Sequence, residues 1–332
     1  MNNREENVEK RGFVDRKIDK GINIVEEIKR IKKEKNAVIL AHYYQTPDIQ
    51  DIADFVGDSL ALSQEAARTK ADIILFAGVH FMAETAKILS PGKKVLIPDL
   101  NAGCSLAESC DPDDFREFVN AHPDRTVISY VNTSAAIKAL TDIVCTSTNA
   151  LQIVESLPKG EKVIFAPDRN LGNYIKNQTD RDIIVWDGAC HVHEEFSLEA
   201  IVKIKEENRG SKVIVHPECE LPVRLFADFI GSTSALLSYT QKSDADVFIV
   251  ATEPGIIHQM IKKSPGKTFI PAPGKDSTCG CSECNFMKLI TMEKIYNSLL
   301  YELPEVNIEE TLRLRAELPI RKMLEISEKL GL

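Results

Sequence analysis

The sequence predicts an α/β protein: three similar three-layer α/β/α domains with parallel sheets, arranged with pseudo-threefold symmetry. Three observations predict it. Short β-branched runs alternate with helical stretches along the whole chain, the pattern of parallel α/β units. One block of motifs recurs three times at nearly constant spacing. Each copy of the block also places cysteine after its last strand.

Taken in order, residues 1–20 are a charged extension that reads as a frayed helix. The first copy, residues 21–107, has a helical stretch over Ile22–Lys35 and strands at Ala37–Ala41, Ile73–Ala77 and Val95–Pro98. The second, 108–194, has a helix over Pro112–Ala121 and strands at Thr126–Ser129, Val163–Ala166 and Ile183–Trp186. The third, 195–284, has a helix over Leu198–Asn208 and strands at Lys212–Val215, Val247–Ala251 and Thr268–Pro271. Each copy therefore reads helix, strand, helix, strand, helix, strand, with an Asp-led apolar segment after the first strand. The tail, 285–332, is helical and is expected to pack back on the first domain.

The landmarks fix the repeat. AVILAHYYQ, TVISYVNTS and KVIVHPECE lead to ADFVGDSLAL, TDIVCTSTNAL and ADFIGSTSALL. His42, Tyr130 and His216 are separated by 88 and then 86 residues, and so are Tyr44, Asn132 and Glu218, and Ser59, Ser147 and Thr233. Asp54, Asp142 and Asp228 share the same offsets. SPGKKVLIP and SPGKTFIP recur 174 apart. That recurrence explains Gly266-Lys267-Thr268 as a turn before a strand and not the end of a phosphate loop, where Ile261 would have to be glycine.

Composition bounds the function. The 332 residues carry 41 Lys+Arg against 50 Asp+Glu, net −9, with a single Trp, which leaves no global footprint for nucleic acid or an anionic membrane surface. No apolar run approaches the ~18–20 residues of a membrane span. Met1–Lys20 mixes both charge signs without an apolar stretch, so a signal peptide is not expected and a cytoplasmic location is. There the eight cysteines are expected as thiols: metal-binding, catalytic or buried.

Parallel α/β layers bind ligands beyond the carboxyl ends of their strands, and the landmark residues fall at that edge. The hydroxyls of Ser59, Ser147 and Thr233 precede apolar helical runs. They read either as plain helix caps or as part of an anion pocket at positive helix ends. His42 and His216 read either as structural histidines or as pocket groups. The mixed set of His, Tyr, Asn and Glu at equivalent places suits an asymmetric ligand in a quasi-symmetric pocket. Each copy also supplies a thiol: Cys104, Cys190, and one of Cys279, Cys281 and Cys284. Structural zinc usually takes four protein ligands. A [4Fe–4S] cluster on three cysteines leaves one iron open as a Lewis acid for a dehydration. The C-x-C-x-x-C run alone also fits a structural zinc or redox turn. Cys110, Cys145 and Cys219 break the repeat and read as buried thiols.

The segments AHYYQ, DIADFVGDSLALS, FAGVHFMAETAKILSP, PDLNAGCSLA, YVNTSA, VCTSTNA, FAPDRNLG, GACHVHE, VHPECE, GSTSAL and CGCSECNFMKL together resemble the quinolinate synthase family, from about Gly21 to the C-terminus. The resemblance implies an enzyme of de novo NAD biosynthesis, a triangle of three α/β/α domains, and condensation of iminosuccinate with dihydroxyacetone phosphate to quinolinate, phosphate and water. It implies a [4Fe–4S] cluster on Cys104, Cys190 and Cys284 with one open iron. Cys284 is taken because it immediately precedes Asn-Phe-Met-Lys; Cys281 is the fallback. Some members have C-x-x-C-x-x-C where this chain has C-x-C-x-x-C. Substrate binding is implied for His42, Tyr44, Ser59, Tyr130, Asn132, Ser147, His193, His216, Glu218 and Thr233, with Tyr130, His216 and Glu218 as the catalytic groups. L-aspartate oxidase or aspartate dehydrogenase would supply the imine, and neither nucleic acid nor membrane is an expected partner. The rival readings are another cluster-dependent hydro-lyase and a non-catalytic iron–sulfur sensor or zinc-stabilised binding module.

Overall fold

A computed structural model describes residues 5–275 and 282–332, with side chains from residue 8, so Cys279 and Cys281 lie outside the described residues. The chain divides into two compact units, Met1–Cys104 with Asn285–Glu317 and Ser105–Cys284 with Leu318–Leu332. Among the described residues no helix is long and apolar enough to cross a membrane.

The first unit holds one parallel sheet of β1 (Ala37–His42), β2 (Phe55–Gly57), β3 (Ile73–Ala77) and β4 (Lys94–Leu96), in the order β2-β1-β3-β4. The segment at Pro304–Val306 runs antiparallel along β4, with Ile97 N–H donating to Pro304 O (3.2 Å) and Val306 N–H to Val95 O (2.9 Å). The tail helix Met292–Tyr301 packs on the helix Ile24–Glu34 and on β3. Beyond its end, Glu302 pairs with Lys35 at 2.7 Å.

The second unit holds two sheets. One contains β5 (Thr126–Tyr130), β6 (Ile143–Cys145), β7 (Val163–Ala166) and β8 (Ile183–Val185), in the order β6-β5-β7-β8. The other contains β9 (Lys212–Val215), β10 (Phe229–Ile230), β11 (Val247–Ala251) and β12 (Thr268–Pro271), in the order β10-β9-β11-β12. All pairings are parallel, and the central strands are buried on both faces, as helices on either side of a parallel sheet require. In the second sheet Phe115, Val127, Ile164 and Ala166 form one core; in the third, Phe196, Ile201, Val213, Val215, Ile249 and Ala251 form another. The helix leading into each copy is capped by a side chain: Asn23 on Glu26 N–H, Asp111 on Asp113 and Asp114 N–H, and Ser197 on Ala200 N–H.

Each sheet has four strands where the sequence reading gives three. The additional strands, β2, β6 and β10, are the Asp-led segments. At two or three residues they are too short to show a period. Their register repeats with the sequence offsets: Leu40 pairs Phe55, Ile128 pairs Ile143, and Ile214 pairs Phe229. The landmark aspartates anchor them. Asp54, Asp142 and Asp228 donate their N–H to the carbonyls of Ile39, Val127 and Val213 at 3.0, 3.0 and 2.8 Å. Their carboxylates accept the N–H of those same residues at 2.7, 2.8 and 2.8 Å. One residue thus closes both bonds, one by its main chain and one by its carboxylate, at the point where the edge strand begins.

In every sheet the strand order reverses between the first and third strands of the copy, which places a crevice beyond their carboxyl ends. The loop after the first strand is braced from within. Gln50 Nε2 donates to the carbonyls of Tyr43 and Gln45 at 2.9 and 2.8 Å. Lys138, fully buried at the equivalent place, donates Nζ to the carbonyls of Val131 and Thr133. Arg224 stands there in the third copy, and burial lowers its pKa.

Candidate active site

The loops at the crevice of the second unit bring five of the sequence-derived residues into one buried network. Tyr130, the last residue of β5, donates its hydroxyl to Glu218 Oε1 at 2.6 Å. Glu218 Oε2 meets His193 Nδ1 at 3.1 Å, and His193 Nε2 meets Thr252 Oγ1 at 3.0 Å. His193 stacks on His216 with ring centroids 4.6 Å apart. His216 Nε2 lies 3.3 Å from Ser147 Oγ. Glu218, His193, His216 and Thr252 are each exposed by no more than 2%.

Proton positions follow from the partners. His216 Nδ1 accepts the Glu218 N–H at 3.3 Å, so a neutral ring carries its proton on Nε2, toward Ser147. A carboxylate cannot donate, so His193 carries a proton on Nδ1, toward Glu218. Burial alone would raise the Glu218 carboxyl. The charges of His193 and His216, with the hydrogen bonds from His193 and Tyr130, outweigh it and hold the group down at about 2. Nearby Asp168 shows the opposite balance: burial and the Glu218 charge push it well above the carboxylate range.

Cys190 Sγ, a His193 ring nitrogen and a Glu218 oxygen lie within 4.8 Å of one another, a donor set that could hold a metal ion. Cys104, Cys190 and Cys284 are half-buried and outside any disulfide. Each immediately precedes a four-residue helix, Ser105–Glu108, His191–Glu194 and Asn285–Lys288. Cys284 is thereby the structural counterpart of the other two. Cys110, Cys145 and Cys219 are buried, as the sequence reading has them. Burial, then Asp111 and Asp114, push Cys110 up to about 12; burial raises Cys145, and burial and Glu218 raise Cys219, so these thiols stay protonated. A half-buried cysteine at the same place in each copy is the donor type that an iron–sulfur cluster takes.

Of the remaining site residues, Asn132 Oδ1 is buried without a hydrogen-bond partner. Thr233 is not a cap: Ser232 caps that helix on Ala235 N–H, and Thr233 is its first residue. Ser59 is likewise first in its helix, behind the cap Asp58. Gly57 and Gly231 permit these tight entries, since a Cβ there would lie 2.9 Å from the ring of Phe55 or Phe229. In the middle copy Ile143 replaces the ring, Cys145 fits, and the helix starts only at Ala150, leaving Ser147 in a turn.

His42, Tyr44, Ser59 and Cys104 belong to the first unit. There Tyr44 N–H donates to His42 Nδ1 at 3.2 Å, the same hold that fixes His216, and the two rings meet edge-on at 4.4 Å. Sequence reasoning missed Thr252, Asp168 and Glu253. Their signal was available: each stands one or two residues beyond the strand Val163–Ala166 or Val247–Ala251, at the same edge as the landmarks.

Comparison with known proteins places the chain among relatives of one description. A family model described as "Quinolinate synthetase A protein" matches residues 26–325. A quinolinate synthase of Microcystis aeruginosa is 60% identical over 300 residues, covering 90% of this chain and 94% of that protein. One of Chloroherpeton thalassium is 56% identical over 307 residues, covering 92% and 95%. One of Nostoc sp. is 58% identical over 306 residues, covering 92% and 94%.

Proposed function

The chain belongs to the quinolinate synthase family, and from that premise we propose that it condenses iminosuccinate with dihydroxyacetone phosphate to give quinolinate, phosphate and water, a step of NAD biosynthesis in the cytoplasm. The observation that carries this reading is the buried Tyr130–Glu218–His193 array beside the half-buried Cys190. An ionised carboxylate, two imidazoles and a phenol at one crevice are the groups that dehydration and aromatisation of a condensed intermediate require.

Cys104, Cys190 and Cys284 would hold a [4Fe–4S] cluster. Bound there, the cluster supplies a Lewis-acidic iron that assists loss of hydroxide. The protein's own groups do the rest. Glu218, held ionised, takes a proton from substrate carbon or oxygen at a carboxylate oxygen. Tyr130 O–H donates toward that same oxygen in the resting site and turns to the departing phosphate or the carbonyl during isomerisation. His216 presents Nε2–H to an anionic group, with Ser147 orienting it. Asn132 Oδ1, without a protein partner, accepts a hydrogen bond from the substrate. Thr233 joins Asn132 and Ser147 in holding phosphate or carboxylate, and His42, Tyr44 and Ser59 of the first unit supply further substrate contacts.

The test is an anaerobic assay for quinolinate from the two substrates, with iron and sulfide measured alongside. A brown, active protein is expected. A brown protein making no quinolinate would turn the reading to another hydro-lyase, and a colourless one with zinc would turn it to a binding module on Cys190, His193 and Glu218. Cys284→Ser should lose iron and all activity, whereas Cys219→Ser, which alters a buried protonated thiol, should keep both.

A further inference from the structure

The loop carrying each cluster cysteine passes close to the residues that follow the third strand of its copy, and the three copies secure this approach differently. Val79, Asp168 and Glu253 are equivalent: each is the second residue beyond Ala77, Ala166 or Ala251, and each is buried. In the first copy the next residue, His80, donates its N–H to Ala102 O at 2.7 Å, two residues before Cys104. In the second copy Arg169 does the same to Gly188 O at 2.8 Å, two residues before Cys190. In the third copy the next residue is Pro254, which has no N–H to give.

There the side chain takes over. Glu253, 0% exposed, accepts the Cys284 N–H on Oε1 at 3.4 Å and the Gly255 N–H on Oε2 at 2.7 Å. One carboxylate thus joins the start of the helix Ile256–Lys263 to the main chain of Cys284. Asp168, at the equivalent place, caps Leu171 N–H at 2.6 Å, and there the main-chain bond from Arg169 to Gly188 already holds the loop. Val79 has no such group.

We propose that Glu253 is a positioning residue for Cys284, a buried carboxylate strut that fixes the main chain of the third cluster cysteine where Pro254 leaves no main-chain bond. The inference rests on the cluster reading above. It predicts a graded dependence on this position: strong at Glu253, weak at Asp168, where a backbone bond remains.

The experiment compares the full-length wild type with Glu253→Ala, Glu253→Gln and Asp168→Asn, all reconstituted anaerobically. Three readouts are taken: iron and sulfide per chain, the rate of iron release to a chelator, and the melting temperature of each apoprotein. Glu253→Ala should release iron about 10–100-fold faster than wild type, as loss of a group supporting a metal ligand does. Glu253→Gln, whose amide oxygen still accepts one N–H, should fall between them with an apoprotein as stable as wild type. Asp168→Asn should stay near the wild-type rate. Wild-type release rates in both Glu253 variants would overturn the strut and leave the cluster reading intact. Faster release accompanied by an equal loss of apoprotein stability in Glu253→Gln would also overturn it, in favour of a general packing role. A wild type that binds no iron on reconstitution would sink the cluster reading itself and the strut with it.

Discussion

His42 and His216 stand at the same place in the first and third copies, and the backbone treats them alike: in each, the N–H two residues on donates to Nδ1. Their company differs. Beside His42 stands Tyr44, edge-on; beside His216 stand Glu218, ionised and buried, and His193, stacked. The repeated fold fixes where a ring nitrogen points, and the residue two places on decides what it can do. In the proposed mechanism a phenol leaves a binding group, and a carboxylate with the added His193 makes an acid/base set. The scaffold around the two histidines stays the same.

The sharpest way to break this contrast is to exchange the deciding residue. Glu218→Gln should keep its iron and lose about 10²–10⁴-fold in kcat, the range for removal of a general acid/base. Tyr44→Phe should change kcat little. Comparable losses in both would end the division of labour. A smaller, more selective effect is expected from the histidines. Asn at either position keeps an acceptor for the backbone N–H and loses the Nε2–H. His216→Asn should therefore lower kcat, and His42→Asn should act mainly on KM, as steady-state kinetics with each substrate varied would resolve.

The smallest effect concerns the scaffold that the two copies share. Asp228 is held below the usual carboxylate range: burial opposes this, and Lys205, the Val213 N–H and Lys212 outweigh it. Its folded value is depressed, so its contribution is complete above the ordinary carboxylate pKa and is lost as pH falls through the folded one. Asp228→Asn should cost about 0.5–1.5 kcal/mol at neutral pH, the net range of an ordinary hydrogen bond, since its lysine partners are screened by solvent. The gap in melting temperature between variant and wild type should close as the solution is acidified. A gap that persists in acid would assign the aspartate a role other than its charge.

Much of this was legible before any coordinates. The helices at Pro112–Asn120 and Leu198–Glu207 and the strands at Ile73–Ala77 and Val163–Ala166 fall where apolar period and β-branched runs put them. The repeat singled out His42, Tyr130, Asn132, Ser147, His216, Glu218 and Thr233 by multiplying a weak signal by three, whereas His193 and the choice of Cys284 rested on the family resemblance. What escaped has a physical reason. β10 is two residues long and owes its existence to Asp228, so no pattern of its own announces it. Glu253 and Asp168 looked like ordinary polar residues of a strand-end loop, because the property that matters, a carboxylate buried against backbone N–H groups, is made by packing from residues about 20 to 30 positions away. Ser147 differs from Ser59 and Thr233 in lying outside its helix, which starts only at Ala150.

The antiparallel run of residues 304–306 along β4 has a consequence for handling the protein. It occupies the outer margin of the first sheet, where bare amides and carbonyls would otherwise invite another polypeptide to zip on. A shortened gene product stopping before Leu303 would keep every strand yet uncover that margin. Such a fragment would be recovered as insoluble material, so any attempt to trim the tail for crystallisation should cut downstream of Val306.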